Sequence, residues 1–101
     1  MRKLIIASSI VMAFASLSAQ AAEQAVVDKY NKTCIACHAS GAAGAPVTGN
    51  AEQWASRMEK GMDVLVESAD KGLNAMPPKG MCYDCSADDF KALIEYMAAA
   101  K

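Results

Sequence analysis

Cys34-Ile35-Ala36-Cys37-His38 constrains this chain more than any other stretch. Two thiols three positions apart can add to the two vinyl groups of one porphyrin, and the adjacent imidazole is then delivered to one face of its iron. The same residues also suit a structural disulfide, a zinc site or a thiol redox motif with an unrelated His behind it. Three features elsewhere favour the porphyrin: an export signal, a Met-Pro-Pro loop downstream, and a core too small without a prosthetic group. The expectation is one covalent haem c on Cys34 and Cys37, with His38 as an axial ligand of the iron.

The chain has 101 residues, room for one domain, and its beginning reads differently from the rest. Arg2 and Lys3 are followed by an apolar run from Leu4 to Leu17 and by the small residues Ser18-Ala19-Gln20-Ala21-Ala22. This is the pattern of a secretory signal peptide, expected over 1–21, with cleavage after Ala21 or Ala22 and a mature domain over 22–101. The run falls short of the roughly 20 apolar residues of a spanning helix, so no membrane span is expected after cleavage. No Cys precedes Cys34, which leaves lipid attachment at a processed Cys without support.

Export places the four cysteines in an oxidising compartment that permits a disulfide. Losing Arg2 and Lys3 leaves eight basic residues against eleven acidic ones, a balance near −3. That argues against nucleic acid, whose binders carry a basic patch or stripe. A domain of this size rarely gains more than a few kcal/mol from its own core. Beyond the signal the aromatic side chains are Tyr30, Trp54, Tyr83, Phe90 and Tyr96, and much of the other apolar content is alanine. A buried macrocycle would supply the missing volume.

The periodicity is helical. Glu23 to Lys32 reads as a first helix whose stripe Val26, Val27, Tyr30 runs on to Cys34. Residues 39 to 49 are too rich in Gly for an element and form a loop, in which the Pro46 carbonyl is a candidate acceptor for the second ring nitrogen of His38. Asn50 with Gln53 resembles a capping box and opens a helix carrying Trp54 and Met58, closed by Gly61. Met62, Leu65, Val66 and Ala69 predict a third helix closed near Gly72. Ser86 as N-cap, Asp88 and Asp89 in the first turn, and the stripe Phe90, Leu93, Ile94, Met97 predict the last. The fold class expected is all-α, about four helices around one haem.

His38 is the only His, so a second axial ligand must be something else. Met58, Met62 and Met97 lie on helical stripes as core filler, whereas Met76 and Met81 lie in a loop. Met76 precedes Pro77-Pro78, which stiffen the chain there, so Met76 is the favoured ligand and Met81 the alternative. His/Met ligation raises the reduction potential and, with both axial positions filled, points to electron transfer. Cys82-Tyr83-Asp84-Cys85 repeats the attachment spacing but is followed by Ser86 where a second haem site needs His. A four-Cys zinc site would span 44 residues between the pairs, beyond the usual spacing of about 15 to 20. A Cys82–Cys85 disulfide is the simplest outcome, and a redox-active dithiol the alternative.

With Cys34-Ile35-Ala36-Cys37-His38 near the mature N-terminus and Met76-Pro77-Pro78 downstream, the chain resembles a class I cytochrome c. More narrowly, Gly44-Ala45-Pro46, Trp54, Arg57, Gly61, Met76-Pro77-Pro78-Lys79-Gly80, Cys82 and Cys85 look like the bacterial cytochrome c5 family across almost the whole mature chain. The resemblance implies crossing terminal helices and a haem with one edge near the surface. It implies Cys34 and Cys37 as thioether attachments, His38 and Met76 as axial ligands, and Cys82 with Cys85 as a disulfide. Trp54 and Arg57 match positions that pack on the haem or bond a propionate.

The function expected is a soluble periplasmic electron carrier, not an enzyme. It would take electrons from quinol-oxidising membrane complexes or other cytochromes of the respiratory chain and pass them to terminal oxidases, periplasmic reductases or a peroxidase. Family resemblance also allows a weak homodimer through the haem edge. A haem peroxidase, a thiol oxidoreductase using Cys82 and Cys85, and a gas sensor with a dissociable Met76 are the rivals.

Overall fold

Between residues 20 and 38 the chain contains neither glycine nor proline, and it is helical throughout. The structure is a computed structural model and describes residues 20–100. Helix α1 covers residues 20–38; within it Tyr30–Cys34 is π-helical, and Ile35–His38 returns to α geometry. The expected signal peptide lies outside the described residues except at 20 and 21.

From sequence this helix is expected to end at Lys32, and it does not. Thr33 turns its hydroxyl back to the Lys29 carbonyl (3.2 Å) instead of breaking the helix. The first residue that can turn the chain is Gly41, at φ 80°, and its N–H bonds to the Cys37 carbonyl at 3.0 Å. The Cys34 and Cys37 pair therefore sits on a helix and not on a loop.

Helix α2 is Ala51–Met58, opened by Asn50, whose side chain accepts from the Gln53 N–H at 3.1 Å. Only half of the expected box forms there. The Gln53 side chain accepts instead from the Val47 N–H at 2.8 Å, fastening the 39–49 loop to α2. Helix α3, Met62–Lys71, runs between Gly61 and Gly72, both at positive φ. Helix α4, Ala87–Ala98, begins with a complete capping box between Ser86 and Asp89 and buries Phe90, Leu93, Ile94 and Met97. No strand occurs among the described residues, and the fold is all-α.

The stripe of α4 forms the floor of the core, joined by Tyr30, Trp54, Ala69 and the Cys82 and Cys85 sulfurs. Leu93 is the most deeply buried, and a side chain of its size contributes about 1.5–3 kcal/mol on burial. Helix α1 is tied to α4 by the Lys29–Asp89 ion pair (3.0 Å) and by the edge-on rings of Tyr30 and Tyr96 (5.2 Å). Gly49 N–H adds a bond to the Met97 carbonyl (2.8 Å), so the loop after α1 is anchored at the same end.

Candidate functional site

His38 ends α1 and is 8% exposed, the one buried polar residue among those described. Its Nδ1 lies 2.8 Å from the Pro46 carbonyl, and since a carbonyl only accepts, Nδ1 carries the proton. The His38 carbonyl accepts from Thr48 N–H (2.8 Å), and Thr48 Oγ1 accepts from the Tyr30 hydroxyl (2.8 Å). One face of the imidazole rests on Trp54, with centroids 5.7 Å apart and planes 28° apart. Trp54 is buried and donates its indole N–H to the Val47 carbonyl at 3.0 Å. Loop and indole thus fix the ring, while Nε2 makes no hydrogen bond among the described residues. Among the described residues no buried side-chain nitrogen or oxygen lacks a partner, so Nε2 opens onto accessible space.

Cys34 and Cys37 are both free thiols, Cys34 half-buried and Cys37 exposed. Burial pushes the Cys34 thiol up, opposed by the neighbouring Thr33 hydroxyl at 3.5 Å. Cys34 packs on the core cluster, as does Met76.

Met76 is placed by a short hairpin. Leu73 N–H bonds the Met76 carbonyl (3.1 Å) and Met76 N–H bonds the Leu73 carbonyl (2.9 Å), with Asn74 at φ 54° turning the corner. The following turn, Pro78–Met81, lies against the π-helical segment that carries Cys34. Met76 is half-buried, whereas Met81 is 60% exposed. A free imidazole nitrogen, two thiols and a thioether are the donor set of a covalently held haem, and Cys34 and Met76 pack on the same apolar cluster.

Cys82 and Cys85 form a disulfide, both residues buried, which joins the Met76 loop to the start of α4. Their sulfurs are thereby unavailable to a metal. Arg57 stands apart from Cys34, His38 and Met76. Its Nη1 donates to the Gln53 carbonyl of its own helix (2.8 Å), and it lines a cleft of about 270 Å³ with Pro46 and Gln53, to which Cys34, His38 and Met76 do not contribute. Thr48 and Val47 are not legible as site residues in the sequence, where Gly72 appears only as a helix stop and Gly80 only as part of the family motif. That these two glycines flank Met76-Pro77-Pro78 is the signal that points to their place at the site.

Residues 21–97 match the family model described as cytochrome C oxidase, cbb3-type, subunit III. Cytochrome c5 of Azotobacter vinelandii is 47% identical over 75 residues, covering 72% of this chain and 87% of that protein. Cytochrome c5 of Ectopseudomonas mendocina is 44% identical over 69 residues, 66% of this chain and 79% of that protein. Among solved structures, a mono-haem ferrocytochrome c from Shewanella putrefaciens aligns at TM-score 0.67 and 53% identity, over 75% of this chain and 94% of that one. A cytochrome c solved as an electron transfer complex with nitrite reductase aligns at TM-score 0.62 and 38% identity, over 68% of this chain and 84% of that one. The chain therefore belongs to that cytochrome c domain family and, within the class I c-type cytochromes, to the cytochrome c5 family of electron-transfer proteins that carry one covalently bound haem c.

Proposed function

We propose that this protein is an exported, periplasmic one-electron carrier of a respiratory chain, its mature domain beginning at residue 22 or 23. In this reading Cys34 and Cys37 would hold the haem through thioether bonds, and His38 Nε2 and the Met76 sulfur would ligate its iron. The bound haem supplies a reversible one-electron change at iron. The chain's own residues hold the ligands alike in both oxidation states. Pro46 accepts the Nδ1 proton and so fixes the His38 tautomer and makes Nε2 a better donor. Trp54 supports the imidazole from beneath, and the Leu73–Met76 hairpin holds the thioether. Arg57 is assigned to a haem propionate, with its guanidinium at the rim of the adjoining cleft. The Cys82–Cys85 disulfide is structural.

The observation that carries this reading is the buried His38, its Nδ1 engaged by Pro46 and its Nε2 left open. The nitrite reductase complex of a similar cytochrome supports partners of the same kind: a quinol-oxidising complex or another cytochrome as donor, and an oxidase, periplasmic reductase or peroxidase as acceptor. Association of two copies through the haem edge stays weak in this reading. Among the described residues no helix is long and apolar enough to cross a membrane.

The test is the optical spectrum of the protein matured in a host that attaches haem c. Low-spin spectra in both oxidation states are expected, with the weak far-red band of thioether-ligated ferric iron. Met76→Ala removes that band, lowers the potential and admits external ligands, whereas Met81→Ala leaves all three as they were. The opposite pattern would move the ligand to Met81, and a high-spin parent would sink the carrier. The mass of the mature chain reads the cleavage site directly.

A further inference from the structure

The loop around Met76 is bounded by two glycines whose missing side chains matter in different ways. A Cβ built on Gly72 would lie 3.0 Å from the Met76 carbonyl oxygen and from the Pro78 nitrogen, so that glycine makes room for backbone. A Cβ built on Gly80 would lie 2.9 Å from the Met76 methyl carbon, its one close contact beyond the adjoining residues and a distance that real Cβ atoms do not show. The Met76 side chain thus folds back so that its methyl occupies the place of a side chain at position 80.

The backbone under that seat is held in an unusual state. Lys79, Gly80 and Met81 have φ of 61°, 55° and 69°, three successive left-handed residues of which only the glycine adopts this without steric cost. Gly80 N–H bonds the Pro77 carbonyl and Cys82 N–H bonds the Lys79 carbonyl, each at 2.9 Å. Lys79 is also clamped from outside the loop: its Nζ lies 2.7 Å from Asp70 Oδ1 on α3 and 5.6 Å from the centre of the Phe90 ring on α4. The turn is therefore fastened to both helices.

We propose that Gly80 is a positioning residue for the Met76 thioether. The empty place at Gly80 seats the methyl, and the Lys79–Asp70 clamp keeps that seat under it, so the direction of the sulfur is set by position 80. This rests on Met76 being the distal ligand.

The experiment uses the full haem-loaded protein and reads the far-red band of thioether-ligated ferric iron together with the reduction equilibrium. Gly80→Ala puts a methyl 2.9 Å from the Met76 methyl carbon, too close for two carbons, and what it meets is the tip of a flexible side chain, so the chain folds and the thioether is displaced. Loss of the band is expected, with the reduction equilibrium displaced at least tenfold toward the ferric form, about 59 mV for one electron, because thioether ligation is what raises the potential. Gly61→Ala is the control: Gly61 has φ 96° with nothing within 4 Å of its Cβ position, so it carries backbone strain without the collision. It keeps both band and equilibrium. Gly80→Asn is the second variant, because Asn tolerates the left-handed region yet brings a Cβ to the same place.

The proposal is overturned if Gly80→Ala and Gly80→Asn keep the band and the equilibrium. It is equally overturned if Gly61→Ala shifts them as far as Gly80→Ala does, or if both variants at 80 fail to fold, since the contact would then not be confined to the Met76 tip. Met76→Ala separates the two levels. A band lost there but kept on substitution at 80 refutes the role of Gly80 alone, and a band kept in Met76→Ala refutes the ligand itself.

Discussion

Trp54→Phe tests how the His38 side of the site is built. The indole makes one hydrogen bond, to the Val47 carbonyl at 3.0 Å, and it is buried beneath the imidazole. Phe keeps the six-membered ring and loses the N–H and two ring carbons. The Val47 carbonyl still accepts from Asn50 N–H at 3.0 Å, so no acceptor is orphaned and the lost bond costs about 1 kcal/mol. The two carbons, at ~0.8 kcal/mol each for a buried methylene, bring the expected loss to about 2.5 kcal/mol. For a domain of 60–100 residues this lowers Tm by about 10–20 °C. Denaturant unfolding of the haem-loaded protein, followed by far-ultraviolet circular dichroism, reads the change as a lower midpoint at unchanged slope. A loss below about 0.5 kcal/mol, the low end for the hydrogen bond alone, would refute the claim that Trp54 fastens the 39–49 loop.

Two further outcomes follow from other contacts. Replacing Cys82 and Cys85 together by Ser opens a small loop and costs about 2 kcal/mol of stability by loop-closure entropy, with an unchanged absorption spectrum; loss of electron transfer with the haem intact would instead make the pair redox-active. Asp89 is held below the usual carboxylate range by the Ser86 backbone N–H and then by Lys29. A depressed folded-state value contributes stability above the unfolded-state value, about 4, and that contribution disappears as pH falls through the lower folded one. The stability gap between the parent and Asp89→Asn is therefore constant near neutral pH and closes below about pH 4, which unfolding midpoints across a pH series would show.

Helix α4 was readable from sequence almost residue by residue, because capping and burial there are local: Ser86, Asp89 and the stripe Phe90 to Met97 all lie within one helix. The boundaries of α2 and α3 were readable for the same reason, since Asn50, Gly61 and Gly72 act on their own neighbours. The extension of α1 through Cys37 was not, because nothing in Thr33-Cys34 announces whether a hydroxyl will bond forward or back to Lys29. The Gln53 side chain, expected to close its own cap, accepts from Val47 N–H instead, a choice made by loop closure rather than by propensity. At the site, the pairing of His38 with Pro46 could be suggested from chemistry alone. The stacking on Trp54 and the Thr48 and Tyr30 relay depend on three-dimensional approach between segments that share no sequence pattern, and the contact of Met76 with Gly80 depends on how the turn between them folds back.

The π-helical turn at Tyr30–Cys34 also sets an angular phase. A π turn takes one residue more than an α turn, and in an α-helix each residue advances about 100° around the axis. Deleting one residue there would restore a regular helix that costs nothing locally. The Ile35 N–H that bonds the Tyr30 carbonyl across the π turn would then close an ordinary α turn, so Cys37 and His38 keep their direction relative to Tyr30, whose hydroxyl is anchored on Thr48. Insertions and deletions in this helix are therefore judged by rotation more than by length: one residue lost from the π turn is absorbed there, whereas one lost from the α-helical Ile35–His38 turns His38 by about 100° relative to Tyr30.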